Sequence, residues 1–186
     1  MNLSILIILI VFCIVLLMLE RRGVPMTLEL HMKGDIKRES RWLAQWGQSV
    51  CTPLAGLLVW QLDPAHRKEA IVLVAGTLGV STTVMILKRL LGRVRPRHEN
   101  AGQFLGPTWK HANWRESFPS SHSACAFALS TFLVMLYPQA TVTWWTLAIL
   151  CAGLRYLLDA HWPSDVLAGT IVGWSMAWGI WRVVVG

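Results

Sequence analysis

Apolar residues run almost unbroken over 2–19 and recur at roughly 47–62, 69–91, 121–137, 141–158 and 164–185, with most of the charge gathered between these stretches. A helix needs roughly 20 mainly apolar residues to cross a bilayer, about 17–25 in practice. The pattern therefore predicts an all-α, polytopic membrane protein: a bundle of six transmembrane helices forming a single membrane-embedded domain over 1–186. The first run is expected to be a retained span rather than a signal peptide, because no basic residue precedes it and no small-residue cleavage site comes before Glu20-Arg21-Arg22. Residues 26–46 are too polar to span. Met32, Ile36, Leu43 and Trp46 recur there at helical spacing opposite Lys33, Lys37, Arg38 and Arg41, which fits an interfacial helix and equally a solvated basic loop. Trp42, Trp46, Trp60, Trp144, Trp145, Trp178 and Trp181 fall near span ends, where indole rings favour the headgroup boundary.

Small residues indicate which helix faces pack together, since helices in lipid approach closely where side chains are short. In the last span Asp165, Gly169, Gly173 and Ala177 follow at i+4, so the acid heads a small-residue stripe and is expected to look into the bundle. Ser121, Ala124, Cys125 and Ala128 share one face of the fourth span. Lys88, Gly92 and Arg95 share a stripe if the third helix continues that far, with Pro96 stopping it near Arg95.

Composition narrows the class. The 186 residues are 54% hydrophobic and 15% charged, which argues against a water-soluble globule. A net charge of +7 without any nucleic-acid motif points to anionic headgroups or a phosphate substrate and not to DNA or RNA. Cys13, Cys51, Cys125 and Cys151 lie in apolar runs without the spacing of a zinc or redox site and are read as packing residues.

Three clusters carry the remaining chemistry: residues 88–96, residues 118–123 and the stretch 154–165. With six spans, the third-to-fourth and fifth-to-sixth connections emerge on one side of the membrane, so the clusters can meet. Lys88, Arg95 and Arg155 supply the fixed positive charge that a phosphoryl group needs around its non-bridging oxygens. Ser120 and Ser121 add hydroxyls and unpaired N–H groups at the start of the fourth span, a natural anion site. Two imidazoles complete the set. His161 and Asp165 lie four apart, so the carboxylate can hold one ring nitrogen and leave the other free to attack phosphorus, while His122 protonates the departing oxygen. Arg89, Arg93, Arg97, Lys110 and Arg115 are read as headgroup contacts, and His31, His66, His98 and His111 as hydrogen-bonding or interfacial residues. Asp159 is assigned a solvent or interfacial role. Glu99, Glu116 and Asp63 lack the pairing of a metal site, and neither metal nor cofactor is expected.

At these residues the sequence resembles the type 2 phosphatidic acid phosphatase family, whose pattern is Lys-x6-Arg-Pro, then Pro-Ser-Gly-His, then Ser-Arg-x5-His-x3-Asp. Lys88 with Arg95-Pro96 fits the first element, Pro119-Ser120-Ser121-His122 the second, and Arg155 with His161 and Asp165 the third. Ser121 stands where the family has Gly, and Leu154 where it has Ser. The resemblance implies a metal-independent phosphatase of lipid phosphates that works through a phosphohistidine at His161. Phosphatidic acid, phosphatidylglycerol phosphate and undecaprenyl diphosphate are among the family's substrates, and the bilayer itself delivers them. It also implies an inner-membrane protein with its site facing away from the cytoplasm. The charge tally opposes that orientation: 14 Lys and Arg fall on the catalytic side against 3 on the other, which the positive-inside rule reads as cytoplasmic. The extracytoplasmic face is the expectation adopted. A lipid phosphotransferase would use the same phosphohistidine. A transporter or non-catalytic lipid-binding protein is the alternative from a different class, and for a transporter the charges would be spread along the spans instead of gathered at one end.

Overall fold

A computed structural model of the chain describes residues 2–27, 38–40, 42, 44–48, 50–158 and 161–186. Six long helices follow the six apolar stretches: α1 (Leu3–Arg21), α2 (Cys51–Leu62), α3 (Arg67–Leu91), α4 (Ser121–Leu136), α5 (Thr141–Leu157) and α6 (Pro163–Val184). Residues 38–40 and 42 are also helical, so the α-helices number seven rather than six among the described residues. Met32, Ile36, Leu43, Lys33, Lys37 and Arg41, which define the expected interfacial helix, lie outside the described residues, as do His31 and Asp159.

The architecture is an all-helical membrane bundle. α1, α3 with the turn from Pro64, and α5 with the turn from Pro138 are each long and apolar enough to cross a bilayer. α2 and α4 are apolar but only 12 and 16 residues long. α6 has 22 residues, yet glycine, serine and aspartate dilute its apolar content. Packing explains why α4 is not a uniformly greasy rod. It is the central helix and is buried almost all round, so its surface is chosen for fit to neighbouring helices rather than for lipid: Ala124, Ala128, Leu129, Ser130, Thr131 and Phe132 are all buried. α1 is the opposite case. Only Cys13 among its 19 residues is buried, and its apolar side chains face outward.

The stripe on α6 does what its spacing predicts. A Cβ at Gly173 would stand 2.0 Å from the Ala124 carbonyl oxygen, and one at Gly169 would stand 2.4 Å from that of Ser120. Only hydrogen fits at these two positions, which lets the α4 and α6 backbones touch and brings their N-terminal ends together. The Ser120 N–H donates to the Asp165 carbonyl at 2.9 Å across that junction.

The stripe expected of Lys88, Gly92 and Arg95 does not form. α3 ends at Leu91, and Gly92 takes a left-handed conformation (φ 61°) as its cap, donating to the Lys88 carbonyl. That conformation suits glycine and turns the chain out of the helix before Pro96 can act. Residues 92–120 then fold back over this end of the bundle. The Arg95 N–H donates to the Trp114 carbonyl at 2.8 Å, and the Ser117 N–H to the Arg93 carbonyl at 3.0 Å.

Candidate active site

Four helix ends and the 92–120 loop converge on one buried polar region. Lys88 sits in the last turn of α3 and is 6% exposed, with its Nζ donating to the Glu116 carbonyl at 2.6 Å. Arg95 arrives from the loop. Its Nε donates to the Asn113 carbonyl at 2.7 Å and its Nη2 to the same Glu116 carbonyl at 3.4 Å. One peptide oxygen therefore gathers both cations, at the cost of holding like charges together. Burial lowers the pKa of Arg95, with Asp165 and Glu116 opposing the shift. A guanidinium starts so far above neutrality that it stays charged. Arg155, in the last turn of α5, acts electrostatically on both Lys88 and His122.

His161 lies just ahead of α6, fully buried, with Nδ1 3.5 Å from Asp165 Oδ2. Asp165 is the third residue of α6 and is itself inaccessible. Its Oδ2 accepts from the Trp162 N–H at 2.9 Å and, through a short bond, from the Ser117 hydroxyl. A carboxylate in that setting places the imidazole proton on Nδ1, which leaves the Nε2 lone pair free. Burial pushes the His161 pKa down to about 3 against the pull of Asp165, with Lys88 and Arg95 adding to the effect. The ring is consequently neutral at physiological pH, the form that can attack phosphorus.

His122 is the second residue of α4, and its Nε2 is 3.2 Å from the Gln48 side-chain nitrogen. Lys88 and Arg95 lie near enough to act electrostatically on both His122 and His161. Ser120 is fully buried and caps α4, its Oγ accepting from the Ser123 hydroxyl at 2.9 Å and the Ser123 N–H at 3.4 Å. Ser121 is the first residue of α4 and is partly exposed. The predicted set of His161, His122, Asp165, Lys88, Arg95, Ser120, Ser121 and Arg155 thus lies at neighbouring ends of α3 to α6.

Arg93 corrects the sequence reading. Expected at the headgroups, it is instead wholly buried, donating through Nη1 to Asp165 Oδ1 and Ser164 Oγ, each at 2.6 Å, and through Nη2 to Glu20 Oε2 at 2.8 Å. Phe104 and Trp162 stack near its guanidinium at 5.2 and 5.3 Å. Losing one member of such a buried ion pair typically costs about 3–5 kcal/mol, because the other charge is left without compensation. The neighbouring aromatics were visible in the sequence, but nothing in the order of residues joined them to Arg93. Arg115 departs from the headgroup reading in a similar way: its Nη2 donates to the Gly106 carbonyl at 2.7 Å inside the loop. Ser117, Gln48 and Glu116 also touch this region, through contacts to Asp165, His122 and Lys88. Each reaches the site through a fold-back that no local motif announces.

One end of this helical membrane bundle thus holds three cations and two imidazoles, one of them backed by a carboxylate. The model of the PAP2 superfamily matches residues 69–186, and the chain belongs to that family. It is 36% identical over 97 residues to a lipid A 1-phosphatase of Rhizobium johnstonii, a match covering 52% of this chain and 37% of the relative. It is 30% identical over 81 residues to phosphatidylglycerophosphatase B of Escherichia coli, covering 38% and 31% respectively. The chain thus spans about a third of the length of these curated relatives. In overall fold it resembles the crystal structure of a transmembrane PAP2 type phosphatidylglycerolphosphate phosphatase from Bacillus subtilis, with a TM-score of 0.61 over 96% of this chain and 94% of that one at 19% identity.

Proposed function

We propose that this chain is an integral membrane phosphatase that hydrolyses a phosphomonoester or diphosphate on a lipid through a phosphohistidine at His161. The observation that carries the reading is the gathering of Lys88 and Arg95 on one carbonyl beside the buried His161–Asp165 pair. In the first step the Nε2 lone pair of His161 forms the N–P bond. The P–O bond to the lipid breaks, and its electron pair leaves on an oxygen that takes a proton from His122. Lys88, Arg95 and Arg155 stabilise the charge on the five-coordinate phosphorus, with the N-terminus of α4 and the Ser120 and Ser121 hydroxyls beside them. His122 then takes a proton from water as its oxygen attacks phosphorus, and the N–P bond breaks with its electron pair returning to Nε2 of His161, which frees phosphate. The phosphate products of lipid A, phosphatidylglycerol and polyprenyl metabolism share the required chemistry, an apolar anchor carrying an accessible phosphoryl group.

In this reading residues 1–186 form one domain crossing the inner membrane six times, with α2, α4 and α6 spanning as parts of the bundle rather than as independently lipid-stable helices. The site faces away from the cytoplasm. Setting aside Lys88, Arg95 and Arg155 as phosphate ligands still leaves 11 Lys and Arg against 3, so this orientation rests on the family resemblance and runs against the charge rule. Phosphate release by the purified protein from phosphatidic acid, phosphatidylglycerol phosphate, lipid A and undecaprenyl diphosphate tests the activity. The parent protein is expected to release phosphate in the presence of chelator and to stop in vanadate, and His161→Ala to release none. Undiminished release by His161→Ala would refute the assignment, and label appearing in a second lipid instead of free phosphate would make the chain a transferase.

A further inference from the structure

α1 lies outside the part of the chain that the family model covers, and nearly all of it faces lipid. Its one inward-turned acid, Glu20, is an exception that membrane anchoring does not require. The Glu20 side chain is 1% exposed, and that of its partner Arg93 is inaccessible. A buried carboxylate costs several kcal/mol unless it is paired, and a leucine would dock the helix without that cost. Glu20 meets three groups. Its Oε2 accepts from Arg93 Nη2 at 2.8 Å and from the Ser164 hydroxyl, and its Oε1 accepts from the Ser164 N–H at 3.1 Å.

The guanidinium of Arg93 consequently stands between two carboxylates, Glu20 on one side and Asp165 on the other. Two consequences follow from this arrangement. Asp165 has Oδ1 committed to Arg93, which turns Oδ2 toward His161 and Ser117. One positive charge shared by two negative ones also leaves a net negative charge behind the imidazole, whereas Arg93 alone would neutralise Asp165. That charge matters when Nε2 bonds to phosphorus, because the ring becomes cationic and Lys88 and Arg95 already oppose a positive charge there.

We infer that Glu20 is a positioning residue for the reaction: through Arg93 it fixes the orientation of Asp165 and keeps it an effective anion behind His161, so that the first transmembrane helix is part of the catalytic apparatus. This rests on the reading of His161 as nucleophile. A purely structural Glu20 would lock α1 to the start of α6 and affect only how much protein folds.

The test is full-length protein in detergent with a fluorogenic phosphomonoester and a labelled lipid phosphate. Glu20→Gln keeps the shape and the acceptor for Arg93 but removes the charge. The expected result is a kcat lower by about 10–100-fold, the range seen when partners behind metal-bound histidines are removed, with KM and vanadate affinity within about twofold of the parent. Acid-quenched samples should show slower formation of labelled phosphohistidine per folded molecule. Glu20→Asp, which restores the charge, should recover part of the lost kcat. The inference is overturned if Glu20→Gln lowers yield or melting temperature while the folded fraction turns over at the parent rate, or if Glu20→Asp is no better than Gln. His161→Ala in parallel separates the two failures. An active His161→Ala sinks the nucleophile assignment itself, whereas an inactive one beside a fully active Glu20→Gln sinks only the role of Glu20.

Discussion

Replacing Lys88 by methionine should separate catalysis from stability. Lys88 Nζ and Arg95 Nη2 bind one oxygen at 2.6 and 3.4 Å, so the two cationic nitrogens are at most about 6 Å apart. Two unit charges at that distance repel by roughly 3 kcal/mol at an effective dielectric of about 20. Lys88 is also nearly inaccessible, which adds a desolvation cost that methionine does not carry. Against this stands the lost bond to the Glu116 carbonyl, about 1.5–3 kcal/mol for a charged donor. The apparent melting temperature of Lys88→Met should accordingly equal or exceed that of the parent. Phosphate release should fall about 10²–10³-fold, as it does when one preorganised electrostatic partner of a transition state is removed. Thermal unfolding in detergent with and without vanadate reads both effects. Vanadate should raise the melting temperature of the parent and leave the variant unmoved. A variant that unfolds several degrees lower yet keeps a tenth or more of the turnover would show that Lys88 is a structural cation, and the reasoning would fail.

Two further predictions concern packing and pH. Gly173→Leu should abolish folded protein, since even its Cβ would lie 2.0 Å from the Ala124 carbonyl, whereas Gly179→Ala, with nothing within 4 Å, should purify and turn over like the parent; a normal yield of Gly173→Leu would mean that α4 and α6 are not in backbone contact. In the loop, burial pushes the Glu116 carboxyl up, but the Ala112 N–H, His111 and Lys88 together hold it below its ordinary value of 4.5. A lowered carboxyl pKa contributes stability that is present above that ordinary value and lost as pH falls through the lowered one. Limited proteolysis of the 105–117 segment should therefore stay slow at pH 5 and above and accelerate below pH 4.5 in the parent, while Glu116→Gln should be cleaved at a rate that does not respond to pH over that window; equal pH responses would discard the role given to this carboxylate.

What the sequence determined by itself were the helices and the chemical inventory. Apolar runs long enough to cross lipid are a one-dimensional property, so six of the helices fell close to their predicted limits. Spacing on one helix is also local, which is why Asp165, Gly169, Gly173 and Ala177 were read correctly as an inward stripe. The spacing of three motifs was enough to name Lys88, Arg95, Arg155, His122, His161 and Asp165 together. Tertiary structure alone decided which charges are buried and paired and which are peripheral. Arg93 and Arg95 are two residues apart in the same basic run, yet after the left-handed turn at Gly92 one enters a buried pair of carboxylates and the other joins Lys88 on the Glu116 carbonyl. Glu20 lies 73 positions from Arg93 and 144 from Ser164, separations at which no periodicity carries information. A buried ion pair is selected by the low dielectric around it, and that environment exists only once the helices have closed over it.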